Sequence, residues 1–468
     1  MSKFKNFTHK WIGNRAFYKS VLYIAIPLII QQVVTSFVNM LDNIMVGQTG
    51  TLPMSAVSIS NQLISVFTLA MFGTISAASI FGAQFYGKND HDGVRNCLRF
   101  KLVASTAIVI LFTFIFLCFG DKLVSLFLNP GTNTPENIQT TLHYAMSYIW
   151  IMLIGFLPFG LSQSISSSMR EAGETRLPMT ASIIAVTVNF VGNSILIFGL
   201  FGLPAMGAAG AATATVISRF AELAVILIGA KRSKERFPFF EHVITGFHVP
   251  AYLVKNIILK GMPLIANEIL WSIGMAAIAQ CYSVRGIDAV ASYNITTTIE
   301  NVFFVFNLAI GDCISIMVGQ RLGASDLDGA VETDRRLIVF AVLVSLGLGG
   351  ILFLTAPIFP QFYNATDVIR AHSAGMLRIY GLTLWISAIY NASYFTLRSG
   401  GKTVITFLFD SVGTMAVSFP VAFILAHFTG FNIITMYLIL HLLDLYKVIL
   451  GIFLVHKRIW VNDLVSSH

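Results

Sequence analysis

The sequence predicts an all-α membrane protein with twelve transmembrane helices in two homologous six-helix bundles. Of the 468 residues, 56% are hydrophobic and only 11% are charged, which leaves too few charges to cover a water-soluble surface. Apolar stretches long enough to cross a hydrocarbon core of about 30 Å recur from Val21 to Val455. The second half of the chain also repeats features of the first.

Each apolar stretch defines one predicted span. The spans are 20–46, 56–86, 98–120, 143–168, 177–200, 207–230, 257–284, 289–320, 336–356, 373–396, 403–427 and 431–455. Most Lys and Arg residues lie in the N-terminal leader, in alternate loops and near the C-terminus. By the positive-inside rule this places both termini in the cytoplasm. The first apolar run is too long for a signal peptide, so we expect a multi-pass protein of the inner (plasma) membrane with its leader attached.

The internal repeat predicts how the chain divides. Its matches are Pro27 with Pro263, Gly50 with Gly286 and GAQFYGKND (to Asp90) with VGQRLGASD (to Asp326), all 236 residues apart, and REAGET from Arg170 with RSGGKT from Arg398, 228 apart. Because six spans return the chain to its starting side, the halves have the same orientation. We predict an N-terminal lobe at 1–230, a cytoplasmic linker at 231–260 and a C-terminal lobe at 261–468, with a substrate path between the lobes.

Several classes of function are disfavoured. The net charge of +8 comes from basic residues scattered among short loops, so no nucleic-acid partner is expected. The four cysteines are far apart without CxxC spacing, so no bound metal cofactor is expected. The sequence has no HExxH, GxSxG or GxxxxGK[ST] pattern, which argues against an enzyme and against direct use of ATP. One chain contains both halves of the path, so a monomer is sufficient.

Polar side chains near the outer end of the N-terminal half predict a cation site. Asp42 lies roughly 7–8 Å below the end of the first span at Gly47, by the helical rise per residue. Asn193 lies roughly 9 Å below the end of the fifth span, with Asn189 one turn deeper on the same face, and Thr215 lies roughly 12 Å deep in the sixth. These oxygen ligands suit Na⁺, at Asp42, Asn189 and Asn193 above all, while the carboxylate alone can carry a proton. A purely structural role for Asp42, capping a helix end or facing a water-filled vestibule, is the alternative.

Acidic residues in the C-terminal half are candidates for contacts in a substrate cleft, because carboxylates inside spans are costly and tend to be functional. Glu268 follows Pro263, which loosens the helix; a role in hydrogen bonding between helices is its alternative. Glu300 and Asp312 lie in the eighth span and can contact substrate or pair with a basic residue. Asp444 is expected to pair with Lys447 on one helix face. We interpret Glu222 and Asp410 as gating or anchoring groups near the cytoplasm.

Taken together, the sequence resembles the multidrug and toxic compound extrusion transporters of the wider flippase superfamily. The resemblance covers nearly the whole chain and rests on IPLIIQQVVTSFVNMLDNIMVGQTG in the first span, GAQFYGKND after the second, SSSMREAGETR after the fourth and GAAGAATATVIS in the sixth. It implies two six-helix lobes, alternating access and export driven by protons or sodium. It also implies that Asp42, Asn189, Asn193 and Thr215 correspond to the family's N-lobe cation site.

The chain departs from the family pattern at three positions. One branch has an aspartate where this sequence has Asn193, which leaves the choice between proton and sodium open. Another branch has a functional glutamate at the position of Trp271, one turn beyond Glu268. That branch also has an aspartate at the position of Ser387. A C-lobe cation site of that type is therefore expected to be absent.

We therefore predict a secondary active multidrug efflux transporter. It exchanges small organic, often cationic, compounds for H⁺ or Na⁺ across the lipid bilayer and needs no cofactor besides the coupling ion. The alternative is a flippase or exporter of a lipid-linked or other amphipathic metabolite. That function is expected to require several basic residues in the spans, where the sequence offers almost only Arg219 and Lys447.

Overall fold

The structure is a computed structural model that describes residues 11–128, 134–202, 204–233, 235–243, 245 and 248–466. In this part of the chain the regular secondary structure is helical throughout. The long helices are α1 (Arg15–Gly47), α2 (Thr51–Gly87), α3 (His91–Ser125), α4 (Pro135–Glu171), α5 (Arg176–Phe198), α6 (Ala208–Arg232), α7 (Ala251–Ser283), α8 (Ile287–Gly323), α9 (Leu327–Thr355), α10 (Asp367–Ser399), α11 (Thr403–Phe428) and α12 (Ile433–His456). Each contains most or all of one predicted span, which confirms the predicted fold class.

Eleven of these helices, within the described residues, are long and apolar enough to cross a membrane. The remaining one, α10, has 33 residues and is long enough, but Arg370, Arg378 and Arg398 lower its hydropathy. Most of its second half is buried inside the protein, so its polar groups are shielded from lipid. The span predicted from the apolar stretch 373–396 lies within this helix.

The contacts of the chain divide it into two compact units. The N-terminal unit contains Ile30–Gly82 and Asp90–Lys255, and the C-terminal unit contains Asn256 onward, the chain up to Ile29, and Ala83–Asn89. Aromatic and aliphatic side chains from α2, α3 and α4 form much of the core of the N-terminal unit. The lobes at 1–230 and 261–468 with a linker at 231–260 stay a prediction.

The repeated motifs after α2 and α8 fold in the same way. Asn89 and Ser325 have φ angles of 59° and 58°, a left-handed conformation that ends a helix. Asp90 and Asp326 follow them as N-caps, and their side chains accept hydrogen bonds of 2.8 and 3.0 Å from the amides three residues on. The sequence repeat is therefore also a repeat of local structure.

The ends of α2 and α8 cross in the C-terminal unit by a reciprocal contact. A Cβ atom on Gly87 would lie 1.8 Å from the backbone oxygen of Gln320, and one on Gly323 would lie 1.8 Å from that of Gln84. Both pairs are related by the 236-residue offset of the repeat. The two glycines are required because the backbones touch at this crossing.

Helix α11 is widened in its middle. Residues Leu408–Val412 and Thr414–Ser418 form π-helical turns, and Phe419–Phe428 continues as α-helix with Pro420 in its first turn. Proline has no N–H group and its ring clashes with the carbonyl four residues earlier. This local disturbance accounts for the wide turns that precede Pro420, a geometry that often occurs at functional sites.

Candidate functional site in the N-terminal unit

Four polar side chains of the N-terminal unit form one hydrogen-bonded chain. Asn193 Nδ2 donates to Asp42 Oδ1 at 2.5 Å and to Asn189 Oδ1 at 3.2 Å. Asn189 Nδ2 in turn donates to Thr215 Oγ1 at 3.1 Å. The structure thus brings together all four residues that the sequence proposed for a cation site, which we call the Asp42 chain.

Close packing of α5 and α6 makes the hydrogen bonds of the Asp42 chain possible. Asn189 and Asn193 are one turn apart on α5 and share a face. A Cβ atom on Gly210 would lie 2.6 Å from the backbone oxygen of Leu196, and one on Gly192 would lie 2.9 Å from the Cβ of Ala214. Small residues on both helices therefore allow the Asn189 amide to reach the Thr215 hydroxyl on α6.

The Asp42 chain offers mainly oxygen atoms to a ligand. The Asn193 side chain is fully buried, and its Oδ1 atom has no hydrogen-bond partner among the described residues. Buried carbonyl oxygens are rarely left unpaired in native proteins. Together with the Asp42 carboxylate and the Thr215 hydroxyl, this oxygen supplies the kind of ligand set that a hard cation such as Na⁺ prefers.

A cavity of about 60 Å³ lies against the Asp42 chain. Its walls come from α1, α5 and α6 and include Asp42, Asn189, Thr215, Arg219 and Glu222. A space of this size has room for a cation and water. Two carboxylates and one guanidinium in its wall give a formal excess of one negative charge, which favours uptake of a cation.

A second polar chain lines the same cavity and was not predicted from the sequence. Gln31 Nε2 donates to Ser182 Oγ at 2.8 Å, and Ser182 Oγ donates to Glu222 Oε1 at 3.3 Å. The other Glu222 oxygen accepts from Arg219 at 3.2 Å. The structure therefore places Glu222 in the wall of the Asp42 cavity, where the sequence suggested a gating or anchoring group.

The spacing of the polar residues on α6 could have identified Arg219 and Glu222 from the sequence. Thr215, Arg219 and Glu222 are separated by four and three positions, so they lie on one face of the helix. A face that contains one candidate ligand identifies the other polar residues on it as candidates too.

An aromatic cavity of about 50 Å³ adjoins this site in the N-terminal unit. Phe67, Phe156 and Phe159 line it, and the Phe67 and Phe156 rings stack with centroids 4.0 Å apart. Thr215 and Arg219 line both cavities, and the Arg219 guanidinium lies 4.7 Å from the centre of the Phe159 ring. The aromatic rings are thus adjacent to the polar cavity at the Asp42 chain.

The three acidic candidates of the C-terminal unit do not form one site. Glu300 and Asp312 are both half-buried on the continuous helix α8, and twelve residues correspond to about 18 Å of helix. Glu300 lies near the stacked rings of Tyr282 and Tyr293, whose centroids are 4.4 Å apart. Glu268 lies on α7 beside Asn267, in the electrostatic range of Arg398 and Asp410.

A protein built from many apolar helices, with carboxylates and amides around cavities inside them, belongs to the multi-pass membrane transport proteins. Comparisons with known proteins define the class more closely. The sequence matches the MatE family over residues 27–195 and 263–424, more than half of the chain. The chain belongs to the MatE family, which is a family of transporters.

Individual relatives cover most of the chain. The probable multidrug resistance protein NorM of Thermotoga maritima is 24% identical over 411 residues, which are 88% of this chain and 86% of that protein. The probable multidrug resistance protein YoeA of Bacillus subtilis is 24% identical over 428 residues, 89% of each chain. The multidrug resistance in these names is a property of the two relatives.

Solved structures support the fold. An outward-facing multidrug resistance MATE family transporter of the MOP superfamily matches with a TM-score of 0.83 and 19% identity, over 94% of this chain and 95% of that one. A MOP superfamily transporter from Pyrococcus furiosus, described as having a binding pocket of reverse polarity that suggests a different function, matches with a TM-score of 0.82, 19% identity and the same coverage.

Proposed function

We propose that this protein is a secondary active multidrug efflux transporter that exports small organic, often cationic, compounds in exchange for H⁺ or Na⁺. The observation that carries the proposal is the Asp42 chain at a polar cavity beside an aromatic one. The names of the NorM and YoeA relatives support the substrate class. The proposed transport cycle alternates between outward-open and inward-open states.

The coupling cation binds at Asp42 in this proposal. A proton bonds directly to the carboxylate, whereas Na⁺ takes oxygens of Asp42, Asn189 and Asn193 together with the Thr215 hydroxyl. Either ion neutralises a carboxylate whose burial is costly. An ion that binds one state more tightly than the other shifts the population toward that state.

The membrane potential supplies energy for this exchange. Moving one positive charge inward across about 150 mV releases roughly 3.5 kcal/mol. For a neutral compound this supports a gradient of a few hundredfold. A cationic compound exchanged one for one depends on the ion gradient alone, because no net charge then crosses the membrane.

The aromatic cavity provides contacts for an organic substrate. A cation over an aromatic ring gains roughly 0.5–2 kcal/mol without requiring a fixed geometry. Met152 also lines this cavity, and its flexible side chain adapts to different shapes. A wall of Phe and Met therefore suits a broad range of compounds.

The positive-inside rule supports an orientation with both termini in the cytoplasm. We propose a bacterial inner (plasma) membrane as the location and a monomer as the functional unit. A monomer is sufficient because one chain contains both homologous halves.

Export of an amphipathic or lipid-linked anionic compound is a second candidate, and one observation favours it. Arg219 lines both cavities of the N-terminal unit and has a third of its side chain exposed. Guanidinium groups bind carboxylates and phosphates well. This residue therefore offers a contact for an anionic substrate.

Efflux from proteoliposomes tests the main proposal. Ethidium is loaded on the cytoplasmic side and its loss is followed by fluorescence under an imposed H⁺ or Na⁺ gradient. We expect gradient-driven efflux from the native protein, and a fall to the rate of protein-free liposomes in Asp42→Asn, because the amide carries no charge for the ion to neutralise.

Asp367→Asn is the matched control, since the Asp367 side chain is fully exposed at the start of α10. It should retain native efflux. If ethidium moves under neither gradient while an anionic amphiphile does, the second candidate replaces the first. Equal rates in Asp42→Asn and the native protein would contradict the role of Asp42.

A further inference from the structure

A buried lysine lies between two carboxylates in the C-terminal unit. Lys447 on α12 is 5% exposed. Its Nζ atom is 3.0 Å from Thr414 Oγ1, 3.7 Å from Asp410 Oδ1 and 3.8 Å from Asp444 Oδ1. The ammonium group has three N–H donors and faces three oxygen-bearing side chains.

The side chains around Lys447 also contact groups other than the lysine. Asn267 Nδ2 donates to the second oxygen of Asp410 at 3.2 Å, and Asn267 Oδ1 accepts from Ser411 Oγ at 2.6 Å. The Tyr390 ring lies 5.3 Å from Lys447 Nζ. The oxygen set is therefore positioned by α7 and α11 as well as by its pairing with the lysine.

The three oxygen-bearing side chains around Lys447 lie on irregular helical backbone. Asp410 and Thr414 both lie in the π-helical turns of α11. Asp444 lies at a break in α12, between the helical segments Ile433–Leu443 and Leu445–His456. Irregular backbone at membrane depth is tolerated where it is buried in protein or lines a cavity, and it commonly accompanies ion sites in transporters.

Two carboxylates and a hydroxyl form the all-oxygen set that a hard monovalent cation prefers. We propose that the Lys447 ammonium group is an internal cation that occupies this site. The C-terminal unit consequently accepts no external cation there while the lysine is in place. The two carboxylates and the ammonium group still leave a formal excess of one negative charge, so the lysine excludes an external cation by occupying the space between the oxygens and not by balancing the charge. Glu268 lies in the electrostatic range of Asp410 and of Arg398.

The inference rests on the proposed function only in treating the cation at Asp42 as the coupling ion. The site itself is tested separately, in a protein that carries Asp42→Asn. This background removes the cation response of the N-terminal unit. Failure of one proposal is then distinguishable from failure of the other.

Removal of the lysine should convert the cluster into a site for an external cation. The variant is Asp42→Asn/Lys447→Ala, purified in detergent at pH 8 in a choline buffer. We expect Na⁺ or ethylammonium to raise its melting temperature by several degrees and ²²Na⁺ to bind saturably at about one ion per chain. Ethylammonium is a probe because it replaces the charged end of the missing side chain.

Two controls define the outcome. Asp42→Asn/Lys447→Arg keeps a cation in place and should show no response, and Asp410→Asn/Asp444→Asn added to the test variant should abolish the gained response. If Lys447→Ala does not fold, Lys447→Gln takes its place, since the amide still donates hydrogen bonds to the carboxylates. A folded test variant that responds to neither Na⁺ nor ethylammonium overturns the proposal.

Discussion

The two units of the protein use similar charges in different arrangements. Arg219 on α6 and Lys447 on α12 are 228 residues apart, the same offset that relates Arg170 to Arg398. In the N-terminal unit Arg219 pairs with Glu222 at 3.2 Å, and Asp42 accepts a hydrogen bond from the Asn193 amide. In the C-terminal unit Lys447 lies almost equally far from Asp410 and Asp444.

The partner of a buried carboxylate decides whether that carboxylate can bind an ion. In the N-terminal unit the guanidinium pairs with Glu222 and, among the described residues, Asp42 has only an amide as hydrogen-bond partner, so this carboxylate can take up an ion. In the C-terminal unit the Lys447 ammonium group lies between Asp410 and Asp444 and occupies the position of an ion, although one negative charge remains in excess. An ancestral duplication can in this way yield one unit that binds a coupling ion and one that carries its own.

The largest expected effect is on stability when the internal cation is removed. Lys447→Met leaves two carboxylates inside the C-terminal unit without a counter-charge, and breaking a buried ion pair costs about 3–5 kcal/mol. Arg219→Met should cost less than half as much, because its side chain is 33% exposed and Glu222 keeps the Ser182 hydroxyl. Unfolding by a denaturing detergent in mixed micelles measures both, and equal losses would remove the distinction between the units.

A middle-sized effect is expected from separating α5 and α6. Gly210→Ala brings a methyl group to 2.6 Å from the Leu196 backbone oxygen, and overpacking of this kind costs typically about 1–3 kcal/mol. The shift should also break the hydrogen bond between Asn189 and Thr215 and weaken transport.

Gly347→Ala on α9 is the matched control, because nothing lies within 4 Å of its added Cβ atom. It should leave the efflux rate unchanged and should not lower the unfolding midpoint, because alanine is favoured over glycine inside a helix. Native efflux in Gly210→Ala would show that close packing of α5 and α6 is not needed for the Asp42 chain to work.

The smallest expected effect concerns a single ligand. Thr215→Val removes the hydroxyl that accepts from Asn189 at 3.1 Å, and a hydrogen bond of this kind contributes about 0.5–1.5 kcal/mol. The ion concentration for half-maximal efflux should rise by roughly 2–10-fold. Thr215→Ser keeps the hydroxyl and should stay near the native value, so an equal shift in both variants would argue against a ligand role.

Most of the fold was predictable from the sequence, because each span must bury its backbone polar groups in a helix and hide them from lipid. The exception in hydropathy, α10, was identified as a span although it contains several arginines. The π-helical turns of α11 were not predicted. Their position depends on Pro420 and also on how the neighbouring helices pack against α11. The amino-acid composition does not show that packing.

The Asp42 chain was predictable because the depth of each residue along its helix indicated which side chains could meet. Asp42, Asn193, Asn189 and Thr215 lie at similar depths on three helices, and the structure joins them. Contacts across a bundle depend on helix rotation as well, so the cavity wall at Glu222 was missed.

The C-terminal cluster shows the same limit. The pairing of Asp444 with Lys447 followed from their spacing on one helix, and their separation of 3.8 Å confirms it. The contribution of Asp410 did not follow, because the π-helical turns alter which residues of α11 face α12.

Charge movement on a solid-supported membrane tests the role of Asp42 most directly. Proteoliposomes are adsorbed to the electrode and exposed to a step in pH or in Na⁺ concentration without substrate. We expect a transient current for one of the two ions in the native protein and in Lys447→Arg, and none in Asp42→Asn. A current of native size in Asp42→Asn would contradict it, because the ion would then bind at a site other than the Asp42 chain.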